Sequence, residues 1–186
     1  MIVIKLGGSL VTSGNLLLCL DKIESEYQGR AVVIVPGGGA FADHVRQAQQ
    51  QWQFDARAAH CMAILAMQQM ALLFSALRPQ LKIAATITEI RDLLNQQKIT
   101  IWSPNVSELD QANIPSTWDI TSDSLAAWLT KTLHAEELIL VKSVIIDADF
   151  DVLKLMREQV VDASFAEYIQ QANFTVNIVN AEKFLS

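Results

Sequence analysis

The chain has 186 residues, a formal net charge of −6, and 51% hydrophobic against 18% charged residues. At roughly 150 residues per domain that is one domain, with enough apolar surface to exclude intrinsic disorder. The acidic balance argues against broad nucleic-acid binding, and two cysteines outside any CxxC pair argue against a disulfide framework or a thiolate zinc site.

In chain order, β-branched runs bounded by turn residues predict buried strands at Ile2–Leu6, Ala31–Val35, Ile99–Trp102, Leu138–Val141 and Val176–Val179. Lys82–Thr86 is a weaker candidate. Leu16, Leu17, Leu20 and Ile23 mark one face of a first helix. A long Ala/Met/Leu-rich helix follows from about Asp55 to Leu77, and Pro79 ends it because proline cannot continue a helix. Thr88–Gln96 and Ser122–His134 read as two further helices. The stretch Ser103–Asp123 differs: it holds Glu108, Asp110, Asp119 and Asp123, no Lys or Arg, and the breakers Pro104 and Pro115. It reads as a long loop leading into a helix, a feature that is often functional in compact domains.

Strands alternating with helices predict an α/β fold with a mostly parallel sheet covered on both faces. Residues 1–186 read as a single compact domain. The amino terminus lacks the charged region and apolar run of a signal peptide. The most apolar stretch, Cys61–Phe74, is interrupted by Gln68 and Gln69 and falls short of the ~20 residues of a membrane span. The expectation is a soluble, cytoplasmic protein.

The first strand ends in Lys5-Leu6-Gly7-Gly8-Ser9 and the second in Pro36-Gly37-Gly38-Gly39, which places five of the seven glycines at two strand ends. Ligands bind at the carboxyl ends of strands in open α/β sheets. Adjacent glycines let backbone N–H groups approach a polyanion, and Lys5 offers it a point charge. Neither the P-loop pattern nor the dinucleotide fingerprint occurs. Asp123 reads either as a first-turn carboxylate complementing a helix dipole or as a site residue. Lys142 reads as a second phosphate cation or as an exposed strand-end lysine. His60, alone on an apolar helix, reads as a satisfied core or interface histidine, and His44 and His134 as surface residues.

Three segments together resemble the amino acid kinase family: Val3–Ser9, Val33–Gly39 and Trp118–Ala127. Gly39–Asp43, Ala59–Met67 and Val141–Ser143 are similar to the branch that acts on aminomethylfuran phosphate in methanofuran-type cofactor synthesis. The resemblance implies a three-layer α/β/α sandwich and transfer of the ATP γ-phosphoryl group to a phosphate monoester, giving a diphosphate. On that footing Lys5, Asp123 and Lys142 are catalytic, with Asp123 orienting the lysines. Gly7, Gly8 and Ser9 hold ATP phosphates, and Gly37, Gly38 and Gly39 hold the acceptor side. Mg²⁺ arrives with ATP and needs no direct protein ligand. An acceptor with an ammonium group and a furan ring suggests Glu108, Asp110 or Asp119 as its ion partner and Trp118 or Trp102 as a stacking face. Family habit and the apolar Ala58–Leu77 helix imply a homo-oligomer.

The resemblance has a gap. Family members usually exceed 200 residues, and an aspartate- and glycine-containing loop shapes their adenosine pocket. Here Lys142–Phe150 carries no glycine, and none follows Gly39. Val160–Phe165 still resembles a carboxyl-terminal family segment, and Thr175–Asn180 supplies a closing strand. The reading is a compact, shortened kinase: residues 1–135 serve acceptor and phosphates, and 136–186 form a reduced nucleotide part. The alternatives are a kinase for isopentenyl phosphate or an amino acid, or a catalytically weak nucleotide-binding scaffold.

Overall fold

The computed structural model describes residues 1–146, 151–170 and 172–186. Six strands form one sheet in the order β3-β4-β2-β1-β5-β6. They are β1 (Ile2–Leu6), β2 (Val32–Pro36), β3 (Lys82–Ala84), β4 (Thr100–Trp102), β5 (Glu137–Lys142) and β6 (Thr175–Asn180). Every pairing in it is parallel. The strand readings hold to within a residue or two, apart from Lys82–Thr86, which stops at Ala84 because Thr86 caps the next helix.

Both sheet faces are buried, as a parallel sheet requires. Ile2, Ile4, Leu6, Ile34, Ile139 and Val141 point into one core. It is covered by α1 (Leu16–Glu26), the short terminal helix α9 (Ala181–Leu185) and the second half of α3 (Ala56–Leu77). Val3, Val33, Val35, Leu138 and Leu140 point into the other, under α4 (Ile87–Asn95) and α6 (Ser122–Leu133). The two-residue period decides where the lysines go. Lys5 shares the parity of Val3, and Lys142 that of Leu138 and Leu140, so both fall on the α6 side.

Local signals set several helix starts. Asp55 accepts a hydrogen bond from the Ala58 amide at 2.7 Å and opens α3. Thr86 does the same for the Glu89 amide at 3.2 Å and opens α4. Three readings change. Leu17 is exposed on α1, and Cys19 takes the buried position in its place. The acidic stretch is not a continuous loop: Asn105 caps a short helix α5 (Val106–Gln111). The glycine turn after β2 continues as α2 (Gly39–Trp52), which the apolar pattern hides because Val45 alone is buried along it. Two more short helices, α7 (Val152–Arg157) and α8 (Phe165–Ile169), follow β5.

α3 is 22 residues long, enough by length and composition to cross a membrane, so the expected shortfall of its apolar run disappears once its full extent is counted. In this fold it is a core helix, with Ile64, Met67, Met70 and Phe74 buried. Met62, Leu65 and Leu72 remain exposed on its outer side.

Candidate active site

The carboxyl ends of β1, β2 and β5 meet where the chain leaves β1 towards β2 and leaves β5 towards β6, in opposite directions along the sheet. Such switch points are where open α/β sheets bind ligands. The Gly7 amide donates to the Val141 carbonyl at 3.0 Å, and the Gly37 amide to the Leu6 carbonyl at 2.9 Å, so both turns are locked to neighbouring strands. The turns also touch each other. A Cβ on Gly8 would lie 2.3 Å from the Gly39 nitrogen, and one on Gly37 would lie 2.6 Å from the Gly8 nitrogen. Gly39 adopts φ +54°, which L side chains rarely tolerate. Glycine is therefore a steric requirement at this crossing.

Lys5, Asp123 and Lys142 come together beneath these turns. Lys5 Nζ lies 2.7 Å from Asp123 Oδ1, and Lys142 Nζ donates to Oδ2 at 2.7 Å. All three are buried, at 4%, 4% and 9% exposure. Lys142 is thus no exposed strand end. Burial lowers its ammonium to about 8, with the Lys5 charge adding to the effect against the pull of Asp123. Burial by itself would raise the Asp123 carboxyl, but Lys142 and Lys5 overcome it and hold the group at about 2. Two cations against one anion leave a buried net positive charge, an arrangement suited to an incoming phosphate.

A cavity of about 480 Å³ opens in front of the turns. One part of its lining is formed by Gly8, Ser9 and Gly37–Gly39, and its apolar lining includes Ile64, Met67 and Leu125. Gly7 is not part of the lining. Ser9 Oγ is 2.8 Å from Ser143 Oγ, joining the first turn to the residue after β5. No side chain among the described residues caps α2 at Gly38, and Gly38, Gly39 and Ala40 line the cavity, where uncapped first-turn amides suit an anion.

The acidic segment is largely occupied elsewhere. Asp110 is paired with Arg57, and Glu108 Oε1 accepts from the Ile87 amide at 3.0 Å. Asp119 accepts from Thr117 Oγ1 at 3.1 Å and does not line the cavity. Trp102 is fully buried against Trp128 and also lies off the lining. Trp118 does line it, with Arg46 stacked 4.2 Å from its ring and its Nε1–H donating to Gln49 Oε1 at 2.7 Å.

Three residues escaped sequence reasoning. His60 is buried and lines the cavity, yet its Nε2 has no hydrogen-bond partner among the described residues, so it is not a satisfied core histidine. Burial and the nearby Arg57 charge keep its pKa low, hence the ring neutral. Asp43 on α2 lines the same cavity. Asp162, 41 residues beyond Thr121, accepts from the Thr121 amide (2.8 Å) and hydroxyl (2.8 Å), the Ser124 amide (3.0 Å) and the Ser124 hydroxyl. It caps α6, the helix that carries Asp123. The quoted match at Val160–Phe165 held that signal, with nothing to say which donors the carboxylate meets.

The family model for the amino acid kinase family matches residues 1–159. The chain belongs to the amino acid kinase family. A Methanocaldococcus jannaschii protein named [5-(aminomethyl)furan-3-yl]methyl phosphate kinase is 29% identical over 144 residues, covering 77% of this chain and 66% of that protein. The chain therefore matches just under two thirds of that relative's length. Among solved structures, uridylate kinase from Archaeoglobus fulgidus superposes with a TM-score of 0.77 at 18% identity, covering 99% of this chain and 93% of the other. UMP kinase from Ureaplasma parvum gives 0.71 at 17% identity, covering 99% and 91%. These likenesses show the amino acid kinase fold over essentially the whole chain. The loop expected to shape an adenosine pocket includes Asp147, Ala148, Asp149 and Phe150, which lie outside the described residues; before it, Val144 and Ile145 are exposed.

Proposed function

We propose that this member of the family is an ATP-dependent phosphotransferase that converts a small phosphate monoester to a diphosphate, with aminomethylfuran phosphate as the acceptor. The observation that carries the reading is the buried Lys5–Asp123–Lys142 group beside two interlocked glycine turns. Phosphoryl transfer asks chiefly for positioning and charge stabilisation, and this arrangement offers both without a covalent nucleophile. Lys5 and Lys142 neutralise charge on the phosphoryl group in flight, while Asp123 holds both ammonium groups in place. Gly7, Gly8 and Ser9 serve the ATP phosphates, and the turn Gly37–Gly39 serves the acceptor phosphate. The choice of acceptor is supported by the named activity of the M. jannaschii relative.

MgATP supplies the phosphoryl group. Among the described residues no three His, Cys, Asp or Glu side chains stand together as a metal site, and Asp123 is engaged by two lysines. In this reading Mg²⁺ travels with the phosphates and water. Residues 1–135 form the acceptor and phosphate part of one domain, and 136–186 the nucleotide part. A cytoplasmic homo-oligomer joined through the exposed Met62, Leu65 and Leu72 strip completes the proposal, and light scattering reads its assembly.

The test is MgATP-dependent phosphorylation of aminomethylfuran phosphate, with Lys5→Ala as control. Turnover in the wild type and a fall of at least ~10³-fold in the variant is the expected result. MgATP binding without turnover on this or any other small acceptor would favour the scaffold reading, to which the absence of glycine after Gly39 also points.

A further inference from the structure

Asp43 is the one carboxylate among the described residues that lines the cavity, and nothing in the described structure pairs with it. That solitude is informative, because Arg46 lies three residues further along the same helix, within ordinary reach of an i,i+3 ion pair. Arg46 instead stacks on Trp118, whose ring is fixed by its hydrogen bond to Gln49. The clamp occupies the arginine and leaves the aspartate open to the cavity.

Spacing supports a ligand with two unlike ends. Asp43 follows Gly39 by four residues, about 6 Å along the helix at the usual rise. One end of the cavity thus offers α2 amides and glycine turns, suited to phosphate, and one turn further on it offers a bare anion. The same lining includes apolar side chains such as Ile64 and Met67, suited to a flat, uncharged spacer. The other acidic candidates are paired with protein groups or lie off the lining.

We propose that Asp43 recognises the ammonium end of the acceptor, so that this cavity selects small phosphate monoesters carrying a cationic amine on a short apolar spacer. The assignment rests on the phosphotransferase reading for its acceptor. It goes beyond that reading by naming the group that distinguishes an amine from its uncharged counterpart.

The experiment compares wild type and Asp43→Asn with two acceptors, aminomethylfuran phosphate and the analogue with methyl in place of aminomethyl. Asp43 is exposed and has no side-chain partner among the described residues, so the variant keeps the fold. The readout is the ratio of kcat/KM for amine over analogue on one protein sample, which cancels any general loss. A charge-assisted hydrogen bond lost from a partly enclosed site lowers that ratio by about 10- to 100-fold, expressed in KM rather than kcat. An unchanged ratio overturns the proposal. Calorimetric binding of both acceptors to both proteins separates the two readings. Amine-selective binding that Asp43→Asn removes, without turnover, sinks the kinase reading and supports this one. Binding with no preference for the amine in the wild type overturns this one whether or not turnover occurs.

Discussion

Two helix N-termini face the same cavity and are treated in opposite ways. α2 starts at the glycine turn with no side-chain cap, and Gly38, Gly39 and Ala40 line the cavity. α6 starts at Thr121, and Asp162 reaches across to satisfy its first-turn donors. Both ends carry the positive pole of a helix dipole. At α2 that pole stays available to an anion from outside. At α6 a carboxylate of the protein has already taken it, and the helix serves as a rigid mount for Asp123. Equivalent local physics thus yields one binding surface and one support, and the difference lies in whether the fold fills the cap.

The sharpest way to break the contrast is at the mount. Asp123→Asn leaves Lys5 and Lys142 buried without their shared anion, a change that costs about 3–5 kcal/mol in comparable buried pairs. Turnover falls below detection and the urea midpoint drops with it. Retained stability would mean that the lysines find other partners.

Lys142 supplies a pH signature. In the free enzyme its ammonium, lowered to about 8, loses its proton as pH rises past that value. kcat/KM therefore falls along an alkaline limb with an apparent pKa near 8, about tenfold per unit beyond it. Stability moves the other way. Between the folded value and the ordinary lysine value of 10.5 the unfolded chain binds more protons, so this group makes folding more favourable as pH rises. On the acid side Asp123 works with the usual sign, and its contribution is lost as pH falls toward its folded value of about 2. A limb that stays in place when Lys142→Arg is examined would assign it to another group.

Opening the closed end has a smaller effect. Asp162→Ala removes the cap of α6 and costs about 2 kcal/mol in urea denaturation, at the upper end of measured caps because four donors lose one acceptor. Turnover falls as Asp123 loosens, while Asp162→Asn retains part of both. Smallest of all is Asp119→Asn. Its carboxylate is exposed and, among the described residues, meets only Thr117, so acceptor KM stays within about twofold and stability within ~0.5 kcal/mol. A clear rise in acceptor KM would return the ammonium-binding role to Asp119.

How much of this was legible in the chain depended on how local the cause was. The strands β1, β2 and β5 were readable because each is a β-branched run ended by its own turn. The family motifs marked Lys5, Asp123 and Lys142. α2 was hidden because Val45 alone is buried along it, leaving no apolar stripe to read. Leu17 and Cys19 exchanged places because either fits a helix, and the packing of the neighbouring layer chose between them.

The glycine turns, the parallel sheet and the lysine-bearing strands follow from local residue chemistry: β-branched shape, proline's missing donor and glycine's missing Cβ act within a few residues. Pairing is different, because it joins atoms that the chain keeps far apart. Only the tertiary structure decided that Asp162 closes the helix carrying Asp123, that Arg57 takes Asp110, and that Arg46 turns to Trp118 and leaves Asp43 bare. A charge's role depends on its distance to every other charge, and that distance is set by how the layers stack.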